Sequence, residues 1–383
     1  MKIRIVDTED GFDGLEAVWS ELAERTASSF FSSFDYVQTA WHHFHGREDR
    51  LFIFVFSEAG ATQAIVPFCI VRRRVRGIPC RTIRFIAAWE GDRPRILSVR
   101  NEIEIWRALF RFLEKEFTDW EILDLIEQPT EGPTDSGWSF LPQSGWYWER
   151  EPDVVDYYIT LEGSWEEYLG GLSLNTRRNW RRQARHLSAA PGGYAFERIC
   201  DPSAVQAALM RFIAIEQSSW KTGRKIGVAK DLRHQRFYED MVARLAAKQQ
   251  VIFHFLKIGQ SDAAGIFSFM SKDVVYARHT AYLPDYSAYS PGILVLAEII
   301  REGLIKPWRE FDLLGMKEDG SSFNYKMHWA NGKRKTVHWT GSRLWGRLLP
   351  LIAARRFKRL LSRRPSPAAK GAGIQGLNED ISQ

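Results

Sequence analysis

Residues 251–282 read VIFHFLKIGQSDAAGIFSFMSKDVVYARHTAY and contain three apolar runs, at Val251–Lys257, Ala263–Ser271 and Val274–Tyr282. The breaks between these runs are short and turn-prone, which predicts an antiparallel meander. A polar loop follows, then an apolar helix from about Gly292 to Ile305, and Phe311–Leu314 predicts one more buried strand. Such a unit can present the N-terminal amides of its helix to an anionic ligand.

The same order of elements occurs once earlier in the chain. Three predicted strands are followed by a helix and a further strand, at Leu51–Phe56, Ala64–Val71, Thr82–Ala88, Glu102–Phe117 and Trp120–Ile126. The heptapeptide WEILDLI at 120–126 mirrors WREFDLL at 308–314, and a predicted helix precedes each copy. We therefore predict an internal duplication, with each copy an α/β unit whose strands are mostly antiparallel.

Shorter sequence patterns predict the remaining elements of both copies. Phe12–Arg25 predicts one amphipathic helix, and Phe30–His45 is an aromatic core segment with surface histidines. In the second copy we predict a strand and four helices, at Val154–Leu161, Ser164–Leu169, Leu174–Leu187, Asp201–Ser219 and Leu232–Ala247. The chain is thus divided into residues 1–150, residues 151–342 with the active site, and a tail at 343–383.

Composition limits the class of protein. The 383 residues carry a net charge of +6, with much of the excess in Arg177–Arg185 and the tail. Cys69, Cys80 and Cys200 have neither metal-ligand nor paired spacing, so we expect no metal site and a reducing compartment. The N-terminus is too acidic for a signal peptide, and no apolar run reaches the length of a membrane span. These features predict a cytoplasmic protein, and the absence of a recognised DNA- or RNA-binding module speaks against nucleic acid.

Two candidate groups lie on predicted helices. Glu216 falls on the apolar face of its helix, where a carboxylate is costly unless it is paired or used, so it is either a general base or a salt-bridged structural residue. Trp220 and Lys221 follow one turn later as candidate substrate contacts. Arg178 and Arg181 belong to a row of arginines that either holds phosphates and carboxylates or forms a solvated helix face.

Two further groups lie around the loop before the Gly292 helix. Ser290, Gly292 and Ile293 suit a pyrophosphate cradle, although an ordinary strand-to-helix loop has the same pattern. Tyr325 could protonate a departing thiolate or merely pack, and Lys326 could bind an anionic acceptor. His279 and Tyr282 lie on the strand before the loop. Their odd separation means that only one of them faces the site.

The motifs quoted above resemble those of a known family. They are Leu174-Asn175-Thr176-Arg177-Arg178-Asn179, Ser219-Trp220-Lys221, Ala281-Tyr282 with the loop to Gly292, Phe311–Gly315 and Tyr325-Lys326. Together they resemble the GNAT acyltransferase superfamily, in the branch of CelD-type proteins of bacterial cellulose and exopolysaccharide synthesis, which is related to the FemAB peptidyltransferases. The resemblance covers Val154–Trp339. The loop keeps one glycine where the common GNAT loop has several.

The resemblance implies a tandem GNAT-like α/β fold with two mixed sheets flanked by helices. It implies an N-acyltransferase that moves an acyl group from acyl-CoA to an amine or hydroxyl of a small-molecule or glycan acceptor. Tyr282, Ser290, Gly292 and Ile293 would hold the cofactor, with Glu216 as base and Tyr325 as acid. Arg178, Arg181, Trp220, Lys221, His279 and Lys326 would contact substrate.

Alternatives remain open at this stage. The chain could be a peptidyltransferase acting on a lipid-linked cell-wall precursor, whose phosphates the arginine row would hold. It could also be a catalytically silent scaffold beside a polysaccharide synthase. In the tail, Leu344–Arg364 alternates apolar and basic residues, which suits either an amphipathic helix on an anionic membrane or a helix packed on its own domain.

Overall fold

The computed structural model describes residues 1–26, 28–75, 78–130, 145–219, 226–316 and 325–343. The predicted tail helix and the segment at 131–144 lie outside these ranges. The elements of the first half are, in chain order, β1 (Lys2–Val6), α1 (Glu9–Asp13), α2 (Glu16–Arg25), α3 (Phe34–Phe44), β2 (Arg50–Glu58), β3 (Ala61–Val75), β4 (Ile78–Phe85), β5 (Leu97–Ser98), α4 (Glu102–Lys115) and β6 (Ile122–Pro129).

A long strand leads into the second half. The elements from there on are β7 (Trp146–Thr160), α5 (Trp165–Gly171), α6 (Leu174–Ser188), β8 (Tyr194–Ile199), α7 (Val205–Gln217), α8 (Leu232–Ala246), β9 (Val251–Ile258), β10 (Ser261–Ser271), β11 (Val274–Tyr282), α9 (Pro291–Gly303), β12 (Glu310–Met316), α10 (Tyr325–Trp329) and β13 (Gly332–Arg343). The predicted meander, its following helix and the returning strand are all present.

The strands of the described residues form one mixed sheet of 13 strands rather than the two separate sheets that were predicted. The order is β1-β2-β3-β4-β6-β13-β7-β12-β11-β10-β9-β8, with β5 paired to β3. β13 lies between β6 of the first half and β7, and β7 pairs on its other side with β12. Two separate sheets would each expose an unpaired strand edge here. We call the β6–β13–β7 pairing the joint between the halves, and it leaves neither edge exposed.

The strand register places the two mirrored heptapeptides in the same position. β4 and β6 run parallel from Thr82↔Ile122 to Arg84↔Asp124. β11 and β12 run parallel from Val274↔Glu310 to Tyr276↔Asp312. In both halves the aspartate of the heptapeptide is therefore the last paired residue, as an internal duplication requires.

One local prediction was wrong, and two elements, α3 and β8, were not predicted. The helix expected at Phe12–Arg25 is two helices, because the chain turns at residues 14–15, where the Leu15 amide donates to the Phe12 carbonyl. The aromatic segment contains α3, which begins at the Ser33 cap and buries residues on most of its faces. β8 was missed because it is a mostly exposed edge strand without an alternating apolar pattern.

Helices from both halves pack on one side of the sheet. We call this side, where Phe253, Phe267 and Tyr276 meet α3, α7 and α8, the α7 face. There Phe30 of the first half stacks on Phe269 with 4.5 Å between ring centroids, so the two halves share a core. On the opposite side, the α9 face, Ile252, Ile266 and Val275 pack against α5, α6 and α9.

Candidate active site

The two parallel strands of the second half diverge, and we call the space between them beyond their last paired residues the cleft. β11 and β12 stay paired only over three residues each, ending at Tyr276 and Asp312. Beyond that point β11 continues alongside β10, whereas β12 follows β7 after a register shift. Leu314 has a φ of 62°, which turns the strand at this shift. The cleft therefore widens toward the end of β11, where the chain enters the loop before α9.

The N-terminus of α9 borders this cleft and has no side-chain cap. The Ser290 hydroxyl accepts instead from Gln183 Nε2 on α6, at 2.8 Å. Pro291 has no amide hydrogen, and no acceptor in the described part of the chain lies within reach of the Gly292 amide. Amides without partners at a helix start carry a partial positive charge. This helix end is therefore suited to an anion.

A glycine at position 292 keeps that amide accessible. A Cβ there would lie 3.5 Å from Thr280 Cγ2 and 4.0 Å from Tyr282 Cδ1. The two β11 side chains thus flank the start of α9. A larger residue could be accommodated, but it would occupy the space in front of the amides.

The equivalent helix of the first half, α4, has the opposite character. Asn101 Oδ1 accepts from the Ile103 amide at 3.0 Å, and Glu102 and Glu104 lie in the first turn. The cap occupies an amide and the two carboxylates repel anions. Of these two helices, only α9 begins with features that attract a negatively charged ligand.

Tyr325 reaches the same end of the cleft from α10. Its hydroxyl forms a hydrogen bond with the Thr280 side chain, and burial raises the pKa of the phenol. Since Thr280 also borders Gly292, the tyrosine and the uncapped amide lie on either side of one residue. At neutral pH the phenol is protonated and can donate a proton.

Lys326 extends from α10 into the cleft. Its ammonium donates to the carbonyls of Leu314 and Gly315, at 3.3 and 3.5 Å. Burial lowers the pKa of the amine to about 8, although Asp92, Asp312 and Asp156 oppose the shift. A lysine with a pKa near 8 is neutral in a substantial fraction of molecules at mildly alkaline pH, so it can accept as well as donate a proton.

Behind the cleft lies a buried ionic cluster that the sequence did not indicate. Arg93, from the first half, donates to Asp312 at 2.6 Å, and its Nε lies 3.7 Å from Asp156. Asp156 is fully buried, and neither carboxylate oxygen has a hydrogen-bond partner among the described residues. Burial raises the pKa of Asp156 to about 7. A signal for Asp312 existed, because it matches Asp124 in the repeat.

The comparisons with known proteins agree with this geometry. Residues 175–327 match the family model described as "Acetyltransferase (GNAT) domain", a range that runs from α6 to α10. The second half contains a GNAT acetyltransferase domain. The cleft, the α9 N-terminus, Tyr325 and Lys326 all lie within it. The resemblance to the GNAT superfamily is thereby confirmed.

Solved structures extend the likeness to almost the whole chain. FemX has a TM-score of 0.60 at 10% identity, covering 92% of this chain and 99% of FemX. A conserved protein of unknown function from Bacteroides thetaiotaomicron has a TM-score of 0.54 at 11% identity, with coverages of 89% and 100%.

The C-terminal domain (DUF2156) of a putative lysylphosphatidylglycerol synthetase from Agrobacterium fabrum has a TM-score of 0.54 at 9% identity, with coverages of 91% and 97%. At such identities the likeness concerns the fold alone, and it confirms the predicted tandem GNAT-like α/β class. None of the curated protein sequences matches the chain significantly.

His279 and Tyr282 point to opposite faces of the GNAT domain sheet. The His279 ring contacts the Tyr238 hydroxyl of α8 at 2.8 Å, on the α7 face. Tyr282 packs on the α9 face, beside Gly292. Next to His279, Arg278 donates to Asp92 at 2.7 Å and to the Tyr238 hydroxyl at 2.9 Å. Strand β11 therefore connects the first half to the cleft.

Glu216 lies on α7 and is 3% exposed. Its Oε2 accepts from the Ala229 amide at 3.2 Å, and a Cβ at Gly227 would overlap the carboxylate. The carboxylate thus holds the backbone at 227–229 on the α7 face, whereas Tyr325 packs on the α9 face. Trp220 and Lys221 lie outside the described residues.

The arginine row is exposed on α6 beside the α9 N-terminus. Arg178, Arg181, Arg182 and Arg185 are all solvent-exposed, and none has an acidic partner in the described ranges. The same helix contacts the loop before α9 through Gln183 on Ser290 and through His186, which stacks on Tyr289 at 4.4 Å. Positive charge is therefore available next to the candidate anion site.

Two further tests concern metals and membranes. Within the described ranges, no group of three or more His, Cys, Asp or Glu side chains is arranged to hold a metal ion. No helix in that part of the chain has the length and apolar character needed to cross a bilayer.

Proposed function

We propose that the GNAT domain transfers an acyl group from acyl-CoA to an amine or hydroxyl acceptor. The observation that carries this proposal is the uncapped α9 N-terminus beside a cleft between β11 and β12. The pyrophosphate of the donor would accept from the Gly292 amide, whereas the Ile293 amide already donates to the Ser290 carbonyl at 3.0 Å. The arm that bears the thioester would lie in the cleft, next to Tyr282 and Ser290.

The two α10 residues then have complementary roles. The neutral form of Lys326 takes the proton of the attacking amine or hydroxyl, which then forms a bond to the acyl carbon. The carbon–sulfur bond breaks, and Tyr325 protonates the departing thiolate. Its raised pKa keeps the phenol protonated until that step. Glu216 is the alternative base, and its buried contacts with 227–229 favour a structural role instead.

For the acceptor we propose a sugar or amino sugar of an exopolysaccharide, cellulose or cell-envelope pathway. The support is the resemblance of Leu174–Asn179 and Tyr325-Lys326 to CelD-type proteins. Arg178 and Arg181 are the candidate acceptor contacts on the side of the proposed donor site, whereas His279 points to the opposite face and contacts Tyr238. Purified protein is incubated with acetyl-CoA and a panel of amino sugars, and release of the CoA thiol is measured.

Binding is measured separately by isothermal titration with acetyl-CoA and longer acyl-CoAs. We expect saturable binding of at least one acyl-CoA and thiol release that depends on the acceptor. Failure of every acyl-CoA to bind would refute the donor assignment. Binding without turnover on any acceptor would favour a silent scaffold.

A peptidyltransferase on a lipid-linked cell-wall precursor is the second candidate. The exposed arginine row beside α9 supports it, because guanidinium groups bind phosphates in bidentate fashion. This function predicts that turnover requires charged tRNA. It also predicts that Arg178→Gln together with Arg181→Gln raises the KM for the precursor. Turnover with acyl-CoA alone would exclude it.

A further inference from the structure

A second polar cavity of about 280 Å³ lies between the two halves, away from the donor cleft. It is lined by the paired starts of β11 and β12, whereas the cleft opens where these strands have separated. Ser28, Ser29, Arg93 and Arg95 of the first half close its other side. A ligand here would touch both halves at once.

The charge of the lining is unbalanced. Five cationic side chains, Arg93, Arg95, Lys272, Arg309 and Arg334, face three carboxylates, Asp273, Glu310 and Asp312. Each carboxylate already has an arginine partner: Arg309 on Asp273, Arg334 on Glu310 and Arg93 on Asp312. Two positive charges are therefore left without an acidic counterpart in the lining.

Those two charges belong to Lys272 and Arg95. The Lys272 ammonium donates to the carbonyls of Ala23, Glu24 and Thr26, which occupies its three hydrogens. Arg95 donates through Nη1 to the carbonyls of Pro94 and Glu127. Its Nε and Nη2 hydrogens have no acceptor in the described part of the chain. Lys272 thus contributes only a positive electrostatic potential, whereas Arg95 contributes hydrogen-bond donors that have no acceptor in the described part of the chain.

The surroundings of Arg95 also disfavour the positive charge of its guanidinium. Burial, and after it the neighbouring Arg93, lowers the pKa of its guanidinium to about 10, although Glu102, Asp156 and Glu127 oppose the shift. A bound anion would relieve both effects, since it would solvate the guanidinium and neutralise the repulsion. The volume is at the lower end of ligand pockets, which suits a small ligand rather than a nucleotide.

We propose that this cavity between the halves binds a small dianion, a phosphate or dicarboxylate, held by Arg95 with Arg309 and Arg334. The site is independent of the donor cleft and of the proposed acyl transfer. Because its ligand joins residues 93–95 to 309–334, occupancy stabilises the contact between the two halves.

Inorganic phosphate is the probe for the test, with malonate as a second arm. Full-length protein is titrated calorimetrically and by thermal melting at constant ionic strength, set with sodium chloride. We expect one saturable site and a Tm rise of about 3 °C or more. Arg95→Gln should weaken binding at least about tenfold, because it removes the free bidentate donors.

Lys333→Gln is the matched control, since Lys333 is exposed and points away from Arg334 on the same strand. It should bind phosphate like the unaltered protein. If Arg95→Gln does not fold, Arg309→Gln, at an exposed position, should show the loss instead. The proposal is overturned if neither anion saturates a site, or if Lys333→Gln loses as much affinity as the cavity variants.

Discussion

At the scale of single residues, Lys326 shows how burial determines chemistry. Its amine lies in the cleft with a pKa lowered to about 8, because burial disfavours the charged form. If the neutral amine is the base, kcat/KM rises with pH up to about 8 and levels off above it. Initial rates between roughly pH 6.5 and 9.5 measure this profile.

Lys326→Arg separates the base from a mere positive charge. Arginine keeps the charge but does not deprotonate, so we expect kcat to fall by about 100-fold or more and the rise with pH to disappear. Lys326→Met should behave similarly. Retention of most activity by the arginine variant would show that charge alone is needed.

For Glu216 we predict an effect on stability rather than on catalysis. Its buried carboxylate accepts from the Ala229 amide, so Glu216→Gln should lower the free energy of unfolding by about 1 kcal/mol. We expect kcat to change less than about threefold. Urea unfolding and steady-state rates test both. A 100-fold loss in kcat with an unchanged free energy of unfolding would show instead that Glu216 is the general base.

Some residues of the candidate site could be predicted from the neighbouring sequence, and others could not. Tyr325 and Gly292 were singled out because a turn-rich loop and a short motif mark them locally, and the structure brings both to Thr280. Arg93 and Asp156 carried no local signal. Their interaction joins residues 63 positions apart across the two halves, and only the folded chain defines it.

At the scale of elements, α4 and α9 occupy equivalent places with opposite electrostatics. Asn101→Ala removes the α4 cap and should lower the free energy of unfolding by about 1 kcal/mol. Acyl-CoA affinity should stay unchanged, because the proposed donor site is at α9. Denaturant melts and calorimetry measure the two effects. Weakened donor binding in this variant would implicate the first half.

Elements with a clear period were predicted, and those without one were missed. The meander β9–β11 follows from apolar runs with turn-prone breaks, and α4 follows from its amphipathic pattern. α3 buries the polar Gln38 and Thr39 together with its apolar residues, so its buried surface is wider than the apolar stripe in its sequence. β8 is an edge strand with exposed side chains, and its alternation carries little hydrophobic contrast.

At the scale of the whole molecule, the joint between the halves contains a titratable carboxylate. Burial raises the pKa of Asp156 from 3.8 to about 7. The folded protein therefore holds this proton over a pH range in which the unfolded chain has released it. The free energy of unfolding should fall as pH rises from about 4 to 7 on account of this group.

Asp156→Asn mimics the protonated carboxyl and should remove part of that pH dependence. Relative to the unaltered protein, the variant should gain more stability at pH 8 than at pH 5. Urea melts at both values measure the difference, with the exposed Asp7→Asn as control. Equal pH dependence in all three proteins would contradict the assigned shift.

The single sheet could not be predicted from the sequence. The repeat indicated two equivalent halves, and the parallel registers agree with it. The joint depends on β13 entering between β6 and β7, a pairing between segments about 200 residues apart along the chain. Nothing local in either strand specifies its partner, since both edges are free in each half considered alone.

The central claim is that the N-terminus of α9 holds the anionic part of an acyl donor. Gly292→Asp tests it most directly, because a carboxylate would compete for the amides, and a Cβ at position 292 would make no severe contact. Ala17→Asp, at the exposed second residue of α2, adds the same charge at an equivalent helix position. By calorimetric titration with acetyl-CoA, Gly292→Asp should bind at least about tenfold more weakly than the unaltered protein, and Ala17→Asp should bind equally well. Undiminished binding by a folded Gly292→Asp would contradict the account.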